Sequence, residues 1–379
     1  MTGFALYRLP HATQAVLVAQ DSDAPISLPS CQAVTGRQGF IIAPFDIAKH
    51  PVVLIRPDIF KHFDTKDVRK LDKDISACIR YTTENTPVTP ATRADYSSDF
   101  ACFHRQLDNG TFRKIVLSRC LVLPRKKEDS PHELFIKACQ HYPRLFIALV
   151  YTPQSGLWLT ATPEILLEGK QSSHEESSQW RTIALAGTMK LKARELTGEG
   201  EHTAWSTKDI QEQRYVATYL QHRLEAYVNA CSPDGAHRSV CEEGPRTVRA
   251  ANLVHLRSDF SFTLGKSPDI GALLHTLQPT PAVCGLPKEA AYNFIRAHEH
   301  TPRRYYSGFM GPIGLSQAAN PSTDFFTHLY VSLRCMRITA SHYHLYAGGG
   351  LLADSREEQE WQETEAKLDT MRKLLKHTS

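Results

Sequence analysis

Residues 1 to about 80 alternate short apolar runs, AVLVA, GFIIAPF and VVLIRP, with Pro, Gly and Ser, a pattern that predicts short strands joined by turns. The stretch 82–100, TTENTPVTPATRADYSSDF, is rich in Thr, Pro and Asp and reads as a connection. Beyond it, apolar runs predict strands at Lys114–Leu123, Leu145–Tyr151, Leu157–Ala161, Ile165–Glu168, Arg181–Ala186, Val254–Leu264, Thr327–Ile338 and Tyr343–Ala347. Residues 170–180 read as a surface hairpin loop. Helical periodicity appears at roughly Pro131–His141, from Ser206 to about Ala230, after Pro287 to His298, and from near Ser355 to Lys376. Ser355 with Glu358 three residues on resembles a capping box. Strands and helices do not alternate strictly, so the expected class is α+β with large antiparallel sheets.

The last helix carries the strongest pattern. At 100° per residue, Trp361, Leu368, Met371 and Leu375 form one apolar stripe. Glu360, Glu363 and Lys367 share its flank at i, i+3 and i+7. An ion pair between Glu363 and Lys367 on a solvated helix is the simplest account of that patch. The helix beginning at Ser206 carries Asp209 and Glu212, again i, i+3. If the two helices face one cavity, their carboxylates form an oxygen donor set suited to Mg²⁺. The run Ala347-Gly348-Gly349-Gly350 follows a predicted strand, where glycine lets a backbone approach a ligand closely and offer N–H groups to an anion.

Composition narrows the class. The chain has 379 residues, 41% of them hydrophobic, enough for one large core or two smaller ones. Its formal net charge is +4, with no basic block or aromatic-interleaved basic stretch, so no nucleic-acid partner is expected. MTGFALYRLP has no charged segment leading into an apolar run, and 18 apolar residues never occur together; neither a signal peptide nor a membrane helix is expected. The cysteines Cys31, Cys78, Cys102, Cys120, Cys139, Cys231, Cys241, Cys284 and Cys335 are odd in number and contain no CxxC pair. Buried reduced thiols in a soluble, cytoplasmic protein explain them more simply than disulfides or a zinc site.

Nine segments, in order, resemble the chorismate-utilising enzymes: KIVLSR (114–119), TPE (162–164), LAGT (185–188), KDIQEQ (208–213), LVHL (253–256), PTPAVCGLP (279–287), SLRC (332–335), AGGGLL (347–352) and EWQETEAKL (360–368). That family includes isochorismate, salicylate, anthranilate and aminodeoxychorismate synthases. The resemblance covers residues 95–379 as a catalytic region, with 1–94 as a variable N-terminal part of the same fold. It implies two antiparallel sheets stacked face to face, helices outside, and a buried site between. It makes Lys114 the base that activates water for attack on ring carbon C2, and Glu164 the acid that protonates the departing C4 hydroxyl. Glu212 and Glu363 match the principal Mg²⁺ ligands, with Glu360 and Asp209 in the adjacent acidic positions. Asp209 departs from the usual Glu, and its shorter side chain would act through water. Arg334, Lys367 and the backbone of Gly348 and Gly350 match groups that bind the substrate carboxylates; Gly187, Thr188 and His255 match further pocket positions.

The chemistry requires such residues. Chorismate is a dicarboxylate, so a cation on one carboxylate and a cradle of cations or N–H groups on the other neutralise and orient it. Water is a poor nucleophile and hydroxide a poor leaving group, so a base and an acid must act on one ring. A lysine acting as base must be neutral, which burial favours, while burial of Glu164 favours its protonated form.

Two positions bear on the product. One type of aminodeoxychorismate synthase places a nucleophilic Lys before the GT of the AGT segment, where this chain has Ala186. Ala282 stands where lyase-type and ammonia-using relatives typically carry Thr, and isochorismate synthases resemble this chain in having Ala. The expectation is therefore an isochorismate synthase needing no obligatory protein partner, its product feeding menaquinone or siderophore formation. The alternatives are a salicylate- or anthranilate-type lyase that releases pyruvate, and an inactive chorismate-binding subunit.

Overall fold

The computed structural model describes residues 1–81, 92–126, 129–190, 204–231, 239–250, 253–316 and 324–375. Its strands are β1 (Gly3–Arg8), β2 (Gln14–Gln20), β3 (Ile26–Leu28), β4 (Gly39–Ala43), β5 (Val52–Ile55), β6 (Ile59–Asp64), β7 (Lys114–Pro124), β8 (Phe146–Thr152) and β9 (Gly156–Thr162). The series continues with β10 (Ile165–Ser172), β11 (Ser177–Lys190), β12 (Cys241–Ala250), β13 (Leu253–Gly265), β14 (Gly285–Leu286), β15 (Phe309–Ile313), β16 (Asp324–Val331), β17 (Cys335–Ile338) and β18 (His342–Leu351). The helices are α1 (Asp72–Cys78), α2 (Arg93–Asp108), α3 (Pro131–His141), α4 (Thr207–Ala230), α5 (Ile270–Leu277), α6 (Lys288–His298) and α7 (Glu357–Leu375).

Among the described residues the strands form two nine-stranded antiparallel sheets, ordered β14-β7-β18-β17-β9-β8-β1-β2-β6 and β12-β13-β11-β10-β16-β15-β4-β5-β3. β1 and β4 lie inside different sheets, so the N-terminal quarter completes both. The fold is thus the α+β stack of two antiparallel sheets expected from sequence.

Alternation within the strands explains the layering. In β8 every residue is buried. Phe146, Ala148 and Val150 point into the core between the sheets, whereas Ile147, Leu149 and Tyr151 pack outward with residues of α3 and α7. β4 does the same on the other sheet, with Phe40 and Ile42 inward and Ile41 and Ala43 outward, in the cluster that includes residues of α4 and α5. Both faces of each sheet are covered, so these strands read as continuous apolar runs rather than as alternating ones.

The structure corrects three local expectations. The connection at 82–100 is helical from Arg93: Thr92 and Asp95 form a reciprocal capping box. From there Tyr96, Phe100, Phe103 and Leu107 line one buried face against Ile115, Leu117 and Ile295; residues 82–91 lie outside the described residues. The single strand expected at Thr327–Ile338 is two, interrupted at residues 332–334, where Arg334 adopts φ 46°. The capping box at Ser355 and Glu358 is not formed, because the Ser355 hydroxyl donates to Glu360 at 2.7 Å and accepts from the Leu352 N–H. The predicted last residue of that helix, Lys376, lies outside the described residues.

Phe146 of β8 stacks on Tyr330 of β16, with centroids 4.2 Å apart and planes at 4°, and so ties one sheet to the other. Phe146→Ala should destabilise the protein by roughly 3–5 kcal/mol, measured from the shift in its urea unfolding midpoint. A change below about 1 kcal/mol would show that the stack does not hold the sheets together.

Candidate active site

Two short segments carry the chain directly from one sheet to the other, side by side. Pro163 and Glu164 join β9 to β10, and residues 332–334 join β16 to β17. They are pinned together by the Val331 N–H donating to the Glu164 carbonyl at 2.9 Å and the Ala161 N–H donating to the Arg334 carbonyl at 3.2 Å. Beside them is a cleft of about 620 Å³, its solvent-open part included. Of the residues predicted for the site, Glu164, Gly187, Thr188, Glu212, His255, Ala282, Arg334, Gly348, Gly350 and Lys367 line it. Lys114, Asp209, Glu360 and Glu363 are not among its lining residues.

Glu164 is buried, and burial pushes its carboxyl up to about 8 against the opposing charges of Lys114, Arg334 and Lys367. At neutral pH it is a carboxylic acid with a proton to give. Burial lowers Arg334 to about 10, with Tyr142 and Glu164 opposing, which leaves it a cation. His255 is held well below its ordinary range by burial and by the neighbouring Arg334 and Lys367. Its partners define the tautomer: Nδ1 lies 3.0 Å from the Gly187 carbonyl, which only accepts, and Nε2 faces the Arg334 guanidinium, which only donates. The neutral imidazole therefore spans Gly187 and Arg334. Gly187 occupies a β-bulge between Ala186 and Thr188 at φ 72°, which suits glycine.

The glycine run does not follow a strand; it lies within β18. β17 pairs only with Tyr343–Tyr346, so from Ala347 onward β18 has β7 on one side and an open edge on the other. Gly348 and Gly350 stand opposite Ser118 and Val116. Those two residues send their N–H groups away from β18, to Glu299 and to the Cys284 carbonyl. In an antiparallel ladder the facing residues do likewise, so the N–H groups of Gly348 and Gly350 point to the open edge. Lys367 donates there to the Gly348 carbonyl at 2.8 Å. A methyl group on Gly348 would lie 2.7 Å from the Tyr306 hydroxyl, and one on Gly350 2.8 Å from Lys114 Cε. Only glycine fits either place.

The acidic residues are each matched. Lys114, with no exposed surface, lies 3.0 Å from Glu212. Lys208 pairs with Glu360, and Lys367 with Glu363 at 2.6 Å. Asp209 instead accepts from the Ser206 hydroxyl at 2.6 Å, at the start of α4. Among the described residues no three acidic, His or Cys side chains converge as a metal cluster, because lysines stand between them. The donor chemistry nevertheless fits a hard divalent cation. Glu360 is buried and pushed up to about 7 by burial and by Glu363, and its Oε2 has no hydrogen-bond partner. That atom and Glu363 border Gly349, where a methyl would lie 3.1 Å from Glu360 Oε2. An unsatisfied buried carboxylate oxygen next to a second carboxylate is the environment a cation relieves.

Sequence inspection missed several supporting groups. Lys208 stood inside KDIQEQ beside the residue that was chosen. Tyr306 and Tyr346 line the cleft and stack with centroids 5.5 Å apart. Arg303, itself buried, pairs with Glu299 and donates to the Val116 and Val283 carbonyls at 2.8 and 2.7 Å, tying β7 to the PTPAVCGLP loop. Glu299 and Arg303 lie beyond the end of α6, so no helical spacing in the sequence announces their pairing.

A two-sheet stack with such a cleft at the strand crossings defines a class, and sequence comparison supplies the family. The family model described as chorismate binding enzyme matches residues 31–376. The chain belongs to that family.

Among curated relatives, the isochorismate synthase MenF of Escherichia coli is 34% identical over 197 residues, 52% of this chain and 41% of that protein. The salicylate biosynthesis isochorismate synthase of Pseudomonas aeruginosa is 30% identical over 269 residues, 70% of this chain and 51% of that protein. The match thus spans about half the length of each. In fold, the chain is similar to the Bacillus anthracis structure described as a putative 2,3-dihydroxybenzoate-specific isochorismate synthase, DhbC. The TM-score is 0.73 at 23% identity, over 99% of this chain and 96% of that one. No helix among the described residues is long and apolar enough to cross a membrane.

An unfolded glutamate titrates near its ordinary value of 4.5, and Glu164 near 8. Between those values the folded protein holds a proton that the unfolded chain has released, so stability falls as pH rises through this window. Glu164→Gln removes this dependence. Its stability relative to the unaltered protein should rise steadily from about pH 5 to about pH 8 in urea melts; a constant difference would mean that Glu164 is ionised in the fold.

Proposed function

We propose that the protein is an isochorismate synthase, converting chorismate to isochorismate. The observation that carries the proposal is Glu164, a buried carboxyl that stays protonated to about pH 8 and lines a cleft also lined by Arg334 and Lys367. The names of the relatives above support the same activity.

Arg334, Lys367 and the open-edge N–H groups of Gly348 and Gly350 form a cradle for a substrate carboxylate. Magnesium bound by Glu212, Glu363 and Glu360, with Asp209 adjacent, would neutralise and orient a second carboxylate. Lys114 accepts a proton from water as the water oxygen bonds to C2. The ring double bonds shift, the C4–oxygen bond breaks, and Glu164 Oε donates the proton that lets the hydroxyl leave as water. Water enters and water departs, so the product is an isomer. His255 is neutral and already occupied by Gly187 and Arg334, so it positions Arg334 rather than exchanging protons. Ala186 and Ala282 both line the cleft. Neither can act as a nucleophile, which favours water addition over attack by an enzyme amine.

Among the described residues Lys114 makes no well-aligned hydrogen bond and has Glu212 as its ion-pair partner. The pair must part and the ammonium must release its proton before Lys114 can act as a base; were Glu212 drawn away by a metal ion, that proton would lose the carboxylate that holds it in place.

Incubation with chorismate should give a Mg²⁺-dependent product of unchanged mass and different retention, without pyruvate. Pyruvate release would assign the protein to the lyase-type members instead. Lys114→Ala should bind chorismate by calorimetry yet form no product, and Glu363→Gln should lose turnover with the fold retained by circular dichroism. Full activity in Glu363→Gln would remove the metal site from α7.

A further inference from the structure

Besides Glu164, which keeps its proton, four carboxylates, Asp209, Glu212, Glu360 and Glu363, and four cations, Lys114, Lys208, Lys367 and Arg334, gather at the cleft among the described residues. The empty site is formally neutral. Three of the cations have roles in the reaction proposed above: Lys114 in activating water, and Arg334 and Lys367 in holding a substrate carboxylate. Lys208 does not line the cleft. It reaches from the first turn of α4 to Glu360 on α7, and its charge also bears on Glu212 and Glu363. The Glu360 oxygen that it holds also accepts from Ser355, while the other oxygen is unpartnered and borders Gly349.

We propose that Lys208 is the resident counter-cation of the acidic site: it competes with the divalent cation for Glu360, so that metal binds firmly only together with the dicarboxylate. The inference rests on the metal site proposed above. A divalent cation entering alone adds two positive charges to a balanced site, and a dicarboxylate alone adds two negative ones. Entering together they leave the balance unchanged, so each strengthens the binding of the other, and by linkage both effects are equal. Without the Lys208 charge the empty site is one unit negative. Metal then binds unaided, and the substrate has less to add.

The test uses Mn²⁺ as a spectroscopically visible stand-in for Mg²⁺. Free Mn²⁺ is titrated by electron paramagnetic resonance against the whole protein, with and without chorismate. Lys208→Met should bind Mn²⁺ about tenfold more tightly than the unaltered protein without chorismate, and the enhancement by chorismate should shrink by a similar factor. Lys208→Arg, which keeps the charge, should behave like the unaltered protein. Lys208→Gln replaces the methionine variant if that variant does not fold. Equal or weaker Mn²⁺ binding by the uncharged variant, with the unaltered protein binding normally beside chorismate, overturns the role of Lys208 alone. Failure of the unaltered protein to bind Mn²⁺ even with chorismate overturns the metal site itself.

Discussion

A single chain that builds two stacked sheets must pass from one to the other, and each such passage interrupts the packing between their inner faces. This constraint places the site. At Pro163–Glu164 and at residues 332–334 the polypeptide leaves one sheet and enters the other. The two passages are bonded to each other through backbone groups. A carboxyl and a guanidinium are thereby fixed in the gap between cores, with little exposure to water and no freedom to move apart. The rigidity comes from the strands on either side, whose inward residues pack as one aromatic-rich cluster.

Burying charge in such a gap is unfavourable unless each group is matched. The matching differs by position. Glu164 remains protonated, His255 remains neutral, and Glu212, Glu360 and Glu363 each take a lysine. These pairs hold the acidic side chains apart. An unpaired carboxylate here would be a liability in the fold.

Glycine serves the site for steric reasons rather than for flexibility. Gly348 and Gly350 occupy a regular strand, yet a methyl on either would run into Tyr306 or the Lys114–Glu212 pair. The absence of side chains lets α7 and α4 bring their carboxylates against the backbone of β18. The short length of β17 completes the arrangement by leaving that backbone's outer edge without a strand partner.

Much of this was legible in the sequence. Periodicity located α4, α6 and α7 and most strands beyond residue 95, because both faces of those elements are strongly apolar or sharply divided. The order of the motifs brought Lys114, Glu164, Glu212, Arg334 and Lys367 into one hypothesis. α2 was hidden because its capping residues, Thr92 and Asp95, belong to a Thr-, Pro- and Asp-rich stretch whose composition resembles a loop. The break at 332–334 was hidden because SLRC continues an apolar run, and only the change of sheet requires Arg334 to take a left-handed backbone. By itself the sequence indicated which side chains would gather at the cleft, since their types and motif order are local information. The tertiary structure alone decided that Lys114 faces Glu212 and Lys208 faces Glu360, which carboxyl keeps its proton and which strand edge stays open. Those outcomes depend on distances between segments far apart in the sequence, which no local pattern encodes.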